Sequence, residues 1–224
     1  MTNTVTTDAA PAMRRSDHLF IAGALAGPVF FASAGVQMAT REGFDITRHP
    51  ISQLSTGGAG WIQITTFVLA GLGALALAAG IARALTEGVG RRTVPVLVAV
   101  FGVGMISAGL FTMDAENGFP VGTPDRPVER MSWHGIVHSA SAVGAYIALA
   151  VAAIVLTVRC ARRRAIGAAV LNGVVATVLL LPMSEDHMSI RIAVNGLVAF
   201  GWTTALALTL RRVHRPDSTY HRQG

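Results

Sequence analysis

Six long stretches of this chain carry no formal charge, and that pattern restricts the fold more than any other feature. They are residues 19–40, 61–82 (the apolar part of an uncharged segment, 49–82), 93–113, 131–158, 165–184 and 192–210. Each approaches or exceeds the roughly 20 residues that a helix rising about 1.5 Å per residue needs to cross about 30 Å of hydrocarbon. A centrally placed Arg or Asp costs about 2.5 to 3.5 kcal/mol on insertion scales, so uncharged runs of this length mark spans. The expected fold is all-α, a polytopic integral membrane bundle of six transmembrane helices. Charged residues make up 13% of the chain and the mean hydropathy is +0.53, against about 25% charge in ordinary soluble domains.

The charges between the stretches alternate in kind. Arg14 and Arg15 precede the first; Arg83, Arg91 and Arg92 follow the second; Arg159, Arg162, Arg163 and Arg164 follow the fourth; Arg211, Arg212, Arg215 and Arg222 follow the sixth. Those are 13 of 18 basic residues, all arginine, and the other gaps hold only Arg41, Arg48, Arg126, Arg130 and Arg191. The positive-inside bias therefore places both termini in the cytoplasm, in a multi-pass protein of the cell (inner) membrane. The domains expected are a polar N-terminal tail, 1–17, a six-helix transmembrane domain, 18–212, and a basic C-terminal tail, 213–224. Ala32-Ser33-Ala34 resembles a signal-peptidase site, but the apolar run continues past it through Val36 and Met38, which favours a retained span.

The basic balance does not imply nucleic acid, because the arginines flank spans rather than forming a patch with interleaved aromatics. Membrane lipids are the expected partners, through anchoring and attraction to anionic headgroups. Cys160 sits beside Arg159 on the expected cytoplasmic side and reads as an inert thiol. The absence of lysine excludes Schiff-base chemistry. Gly23 with Gly27, Ala76 with Gly80 and Gly104 with Ala108 read as packing positions. Asn172 and Asn195 read as interhelical glue.

The informative polar residues lie on the expected extracytoplasmic side, which holds eight of the 12 acids and four of the seven histidines. In the first, Arg48-His49-Pro50-Ile-Ser52-Gln53-Leu-Ser55 precedes a glycine cluster; Pro50 suits the first turn of a short interfacial helix and the glycines its end. The second gap, with three prolines and two glycines in 114–130, predicts turns, and Asp114 stands at the membrane boundary. Trp133 and Trp61 read as interface anchors. His134 and His138 are four apart, one helical turn, so both rings can address one ion. A catalytic zinc takes three protein ligands and keeps a fourth position open, so His49, His187 or Asp114 has to supply the third. His187 lies in the third outer gap beside Glu185 and Asp186.

The segment His49-Pro-Ile-Ser52-Gln-Leu-Ser55 with Gly60-Trp61 carries a resemblance, together with Gly102-Val-Gly104 through Ala108-Gly109-Leu-Phe111-Thr-Met-Asp114, Gly118-Phe-Pro120 and Ser132-Trp-His134-Gly-Ile-Val-His138. In these the chain is similar to the bacterial integral membrane family catalogued as domain of unknown function 998, over residues 17–212. The resemblance implies a six-helix membrane protein with no established activity, and puts motif positions on Ser52, Asp114, His134 and His138.

Two classes of function fit the sequence. One is a ligand-binding or structural membrane protein, taking a small amphiphilic ligand. The other is a metal-dependent membrane hydrolase acting on a lipid or other amphiphile, with a divalent transition metal such as zinc on His134, His138, His49 or His187, and with Asp114 and Ser52 as catalytic groups.

Overall fold

A computed structural model describes residues 9–182 and 187–214, and every regular element among them is helical. In chain order these are α1 (Ala9–Thr40), a 3-10 helix (Ile51–Ser55), α2 (Gly60–Ala84), α3 (Thr93–Leu110), α4 (Trp133–Arg162), α5 (Ile166–Leu180) and α6 (Met188–His214). Five of the α-helices, all but α5, are long and apolar enough to cross a membrane. With 15 residues, α5 extends only about 22 Å. It stops before the end of its uncharged stretch because Leu181 adopts φ −58 and ψ 134, the extended backbone that a residue preceding proline prefers. At the start of the chain, α1 already includes residues 9–17 of the segment expected as a polar tail. Glu185 and Asp186, the first eight residues and the tail beyond His214 lie outside the described residues.

Side-chain register shows how the helices run. Ser33 meets Thr66 and Gln37 meets Gln63, while a Cβ at Gly23 would stand 2.7 Å from that of Leu77, so α1 and α2 are antiparallel. His138 meets Ala108 and Ser141 meets Ser107, which sets α3 against α4 in the same way. The bundle closes through α1 and α6, where Thr204 donates to the Ala24 carbonyl at 3.1 Å and Arg211 donates to Asp17 at 2.5 and 3.2 Å. The start of α1 and the end of α6 thus lie at one end of the bundle. Arg159, buried on α4, donates to the Glu87 and Val89 carbonyls at 2.8 Å and ties the α2–α3 loop to that same end.

Small residues permit this closeness. A side chain at Gly27 would meet Phe200 Cβ at 2.8 Å, one at Gly80 the Phe20 ring at 2.8 Å, and one at Gly104 Ala145 at 2.8 Å. The small-residue pairs are therefore spent on packing within the chain, as their sequence suggested. Stacked and edge-on rings of Phe30, Phe67, Phe101 and Phe200 fill the centre between α1, α2, α3 and α6. Asn172 acts as glue: it accepts from Trp202 Nε1 at 2.8 Å across α5 and α6.

Candidate functional site

Opposite the arginine-rich end, the α1–α2 and α3–α4 loops cover the bundle as one cap. The 3-10 helix starts at Pro50, whose fixed φ of −61 presets the turn, and contacts α1, α2 and α6 with Ile51, Gln53, Leu54 and Ser55 buried. Arg41, just past α1, donates to the Leu54 carbonyl at 2.5 Å and the Thr56 carbonyl at 2.7 Å, and lies 4.7 Å over the Phe119 ring. It thereby satisfies orphan carbonyls at the end of the 3-10 helix and clamps the other loop by a cation–π contact. Burial lowers the Arg41 pKa from its ordinary value, though arginine keeps its charge in proteins.

His49 is the stitch between the loops. Its Nδ1 accepts from the Asp45 backbone N–H at 2.9 Å, which leaves the ring proton on Nε2 to donate to the Asn117 carbonyl at 2.9 Å. The ring is 1% exposed and packs between Phe44 and Phe119, with centroids 5.6 and 5.4 Å away. Both nitrogens are committed to backbone, so His49 has no lone pair to offer a metal in this arrangement. Asp45 orders the turn from below: hydrogen bonds from the Thr47 hydroxyl and then the Thr47 backbone N–H hold its pKa below the ordinary carboxylate value. Further along, Arg48 pairs with Asp125 and Gln53 Nε2 reaches the Glu116 carbonyl at 3.4 Å. Ser52 Oγ donates to Met113 Sδ at 3.1 Å.

Asp114 sits against the first turn of α4. Its Oδ2 accepts the Ser132 N–H at 2.9 Å, while Ser132, the N-cap, accepts the Gly135 N–H at 3.1 Å. A Cβ at Gly135 would stand 2.5 Å from Asp114 Oδ2, so glycine there lets the carboxylate approach the helix end. A negative group at this terminus meets unpaired N–H groups and the positive end of the helix dipole.

The two α4 histidines see different surroundings. His134 is exposed and packs against Trp133, the rings tilted by 44° with centroids 3.8 Å apart, whereas His138 is buried, its ring edge-on to Phe67 at 6.1 Å. His138 Nδ1 lies 2.7 Å from the Ala108 carbonyl and 3.1 Å from that of Phe111, so its proton is on Nδ1 and its Nε2 carries the lone pair. His187 is exposed just before α6, at φ 61, and its carbonyl accepts the Arg191 N–H at 3.0 Å. Among the described residues no group of three or more His, Cys, Asp or Glu is placed to hold a metal ion. The structure thus brings His49 and Ser52 into the cap and Asp114 to its rim, with His138 below; it does not gather the four histidines.

Charge counting missed a second polar layer, deeper in the bundle. Gln37 on α1 and Gln63 on α2 are 3% and 0% exposed and joined at 2.8 Å, above the Ser33–Thr66 pair at 2.7 Å. Amides carry no formal charge, so both fell silently inside uncharged stretches. The available signal was the Ser33–Gln37 and Gln63–Thr66 spacing, which puts polar groups on one helical face.

A closed bundle of antiparallel apolar helices, with its polar groups at loops and interhelical contacts, is a multi-pass helical membrane protein. The chain belongs to the family described as Protein of unknown function (DUF998), which matches residues 24–210. Comparison with curated proteins and with solved structures finds no match.

Proposed function

We propose that this chain is a non-catalytic, six-span protein of the bacterial inner membrane. Both termini are cytoplasmic, and the extracytoplasmic cap is a structural and ligand-binding element. One observation carries the reading: His49 spends both ring nitrogens, Ser52 its hydroxyl proton and Asp114 one carboxylate oxygen on holding backbone or a neighbouring side chain in place. A nucleophile or base needs a free lone pair within reach of a substrate; neither nitrogen of His49 offers one.

The alternative, a metal-dependent hydrolase of a lipid or other amphiphile, rests on His138. Two carbonyls fix its Nδ1–H and leave Nε2 unprotonated, the arrangement in which metal-binding imidazoles are held. Elemental analysis of purified protein decides between the readings. The non-catalytic reading expects substoichiometric zinc, manganese, iron and nickel, unchanged in a His134→Ala/His138→Ala double variant. One equivalent of metal in the native chain, lost in that variant, overturns it.

A further inference from the structure

Among the described residues, four buried side-chain atoms find no hydrogen-bond partner in the protein: Gln37 Oε1, Gln63 Nε2, Gln53 Oε1 and Asn195 Nδ2. The first two belong to one hydrogen-bonded pair, and a buried polar group left unmatched costs about 1–3 kcal/mol, more than chance placement in an otherwise apolar bundle explains. Gln37 Nε2 donates to Gln63 Oε1 at 2.8 Å and also reaches Ser33 Oγ at 3.3 Å. What remains is one acceptor on α1 and one donor on α2. Exchanging O and N in both amides leaves the same complement, one acceptor and one donor, so the conclusion does not depend on how the amides are assigned.

That complement defines the ligand. A carboxylate or phosphate oxygen only accepts and is repelled by the free amide oxygen, while an ammonium only donates and is repelled by the free amide nitrogen. The neighbouring charge, Arg41, is committed to the Leu54 and Thr56 carbonyls and is not free to neutralise an anion. A neutral hydroxyl, which donates and accepts at once, meets both requirements. Gln37 lies three residues before the end of α1 and Gln63 three after the start of α2, about 5 Å inside the helix ends. In α2, 25 residues and about 37 Å long, that inset lies near the edge of a hydrocarbon core about 30 Å thick, within reach of a lipid hydroxyl just below the headgroups. Gln53, wholly buried in the 3-10 helix of the cap, contributes a further free acceptor to the same end of the bundle.

We propose that Gln37 and Gln63 form an intramembrane binding site for one uncharged hydroxyl group, supplied by water or by the headgroup of an uncharged lipid of the diacylglycerol class. The site is distinct from the His and Asp positions of the cap, and it stands whether or not His138 binds metal.

Two arms on the full chain in phosphatidylcholine nanodiscs test it. In the first, dioleoylglycerol carrying a diazirine is photolysed and the labelled peptides are mapped. In the second, magnetisation transfer from water to glutamine side-chain amides is followed by solid-state NMR. Lipid as source predicts labelling around Gln37 and Gln63 that falls about tenfold in a Gln37→Leu/Gln63→Leu variant, as loss of paired hydrogen bonds demands. Water as source predicts fast transfer to two glutamine amides, lost in the variant, without labelling. Should that variant fail to fold, competition in the native chain decides the lipid arm: unlabelled dioleoylglycerol suppresses the labelling and added phosphatidylcholine does not. Absence of both labelling and water transfer in the native chain overturns the proposal, as does labelling that neither the variant nor the competitor reduces.

Discussion

His49 shows how much one side chain can organise when both its nitrogens are used. Replacing it with alanine removes two hydrogen bonds to backbone and opens space between Phe44 and Phe119. Each bond is worth about 1 kcal/mol net, and the cavity adds to that, so His49→Ala is expected to lose about 2–4 kcal/mol in reversible unfolding from mixed micelles. Asp114 separates structural from catalytic duty more sharply. Asp114→Asn keeps an oxygen for the Ser132 N–H and loses only the charge at the helix terminus, about 0.3–1 kcal/mol, whereas Asp114→Ala loses the acceptor too, about 1–2 kcal/mol. Equal losses in the same unfolding assay would contradict the capping role. Asp45 adds a pH dependence. Its folded pKa is depressed, so its contribution is present above the ordinary carboxylate pKa near about 3.9 and is lost as pH falls through the lower folded value. The Thr47 amide resonance should therefore shift only as pH falls below the ordinary carboxylate range, and Asp45→Asn should move it at neutral pH.

At the scale of elements, glycine positions make the packing testable. Gly27 faces Phe200 at a distance that leaves no room for a methyl, while a Cβ at Gly144 meets nothing within 4 Å. Gly27→Ala is expected to cost about 1–3 kcal/mol through overpacking of α1 on α6; Gly144→Ala should be neutral or stabilising, since alanine is the better helix former. Comparison of their melting temperatures checks both. The elements were legible where the sequence speaks in charge or backbone chemistry. Uncharged runs located all six helices, and Pro50 with its following glycines located the short helix before α2. The length of α5 was less so, because hydropathy continues through Leu181 and Pro182 while backbone geometry does not. The cap was half visible: His49, Ser52 and Asp114 were singled out, but spacing within one segment says nothing of a partner such as Asn117 or Ser132 in another. Arg41 passed for an ordinary loop charge because its carbonyl partners and the Phe119 ring are brought to it only by folding. Gln37 and Gln63 stayed hidden since an amide, costly as it is in hydrocarbon, does not interrupt a run defined by charge.

For the whole molecule the open quantity is orientation, and the closed ring of helices makes it a binary one. Asp17 and Arg211 join the start of α1 to the end of α6 at the end where Arg159 ties down the α2–α3 loop, so this end and the cap end must face opposite sides if the helices span. Eleven of the 16 arginines among the described residues belong to segments at the former end, and the positive-inside bias predicts that this end faces the cytoplasm. Cysteine accessibility tests this, with Cys160→Ser removing the native thiol as background. Gly58 and Ala115 are exposed on the cap and Ala161 is exposed at the other end. Gly58→Cys and Ala115→Cys are expected to react with a membrane-impermeant maleimide in intact cells, and Ala161→Cys only after lysis. The reverse pattern would invert the molecule and set the arginine-rich end outside, away from anionic cytoplasmic lipid. Labelling of Gly58→Cys and Ala161→Cys from the same side would break the bundle topology itself, because α2, α3 and α4 lie between them and an odd number of crossings cannot return the chain to the side it left.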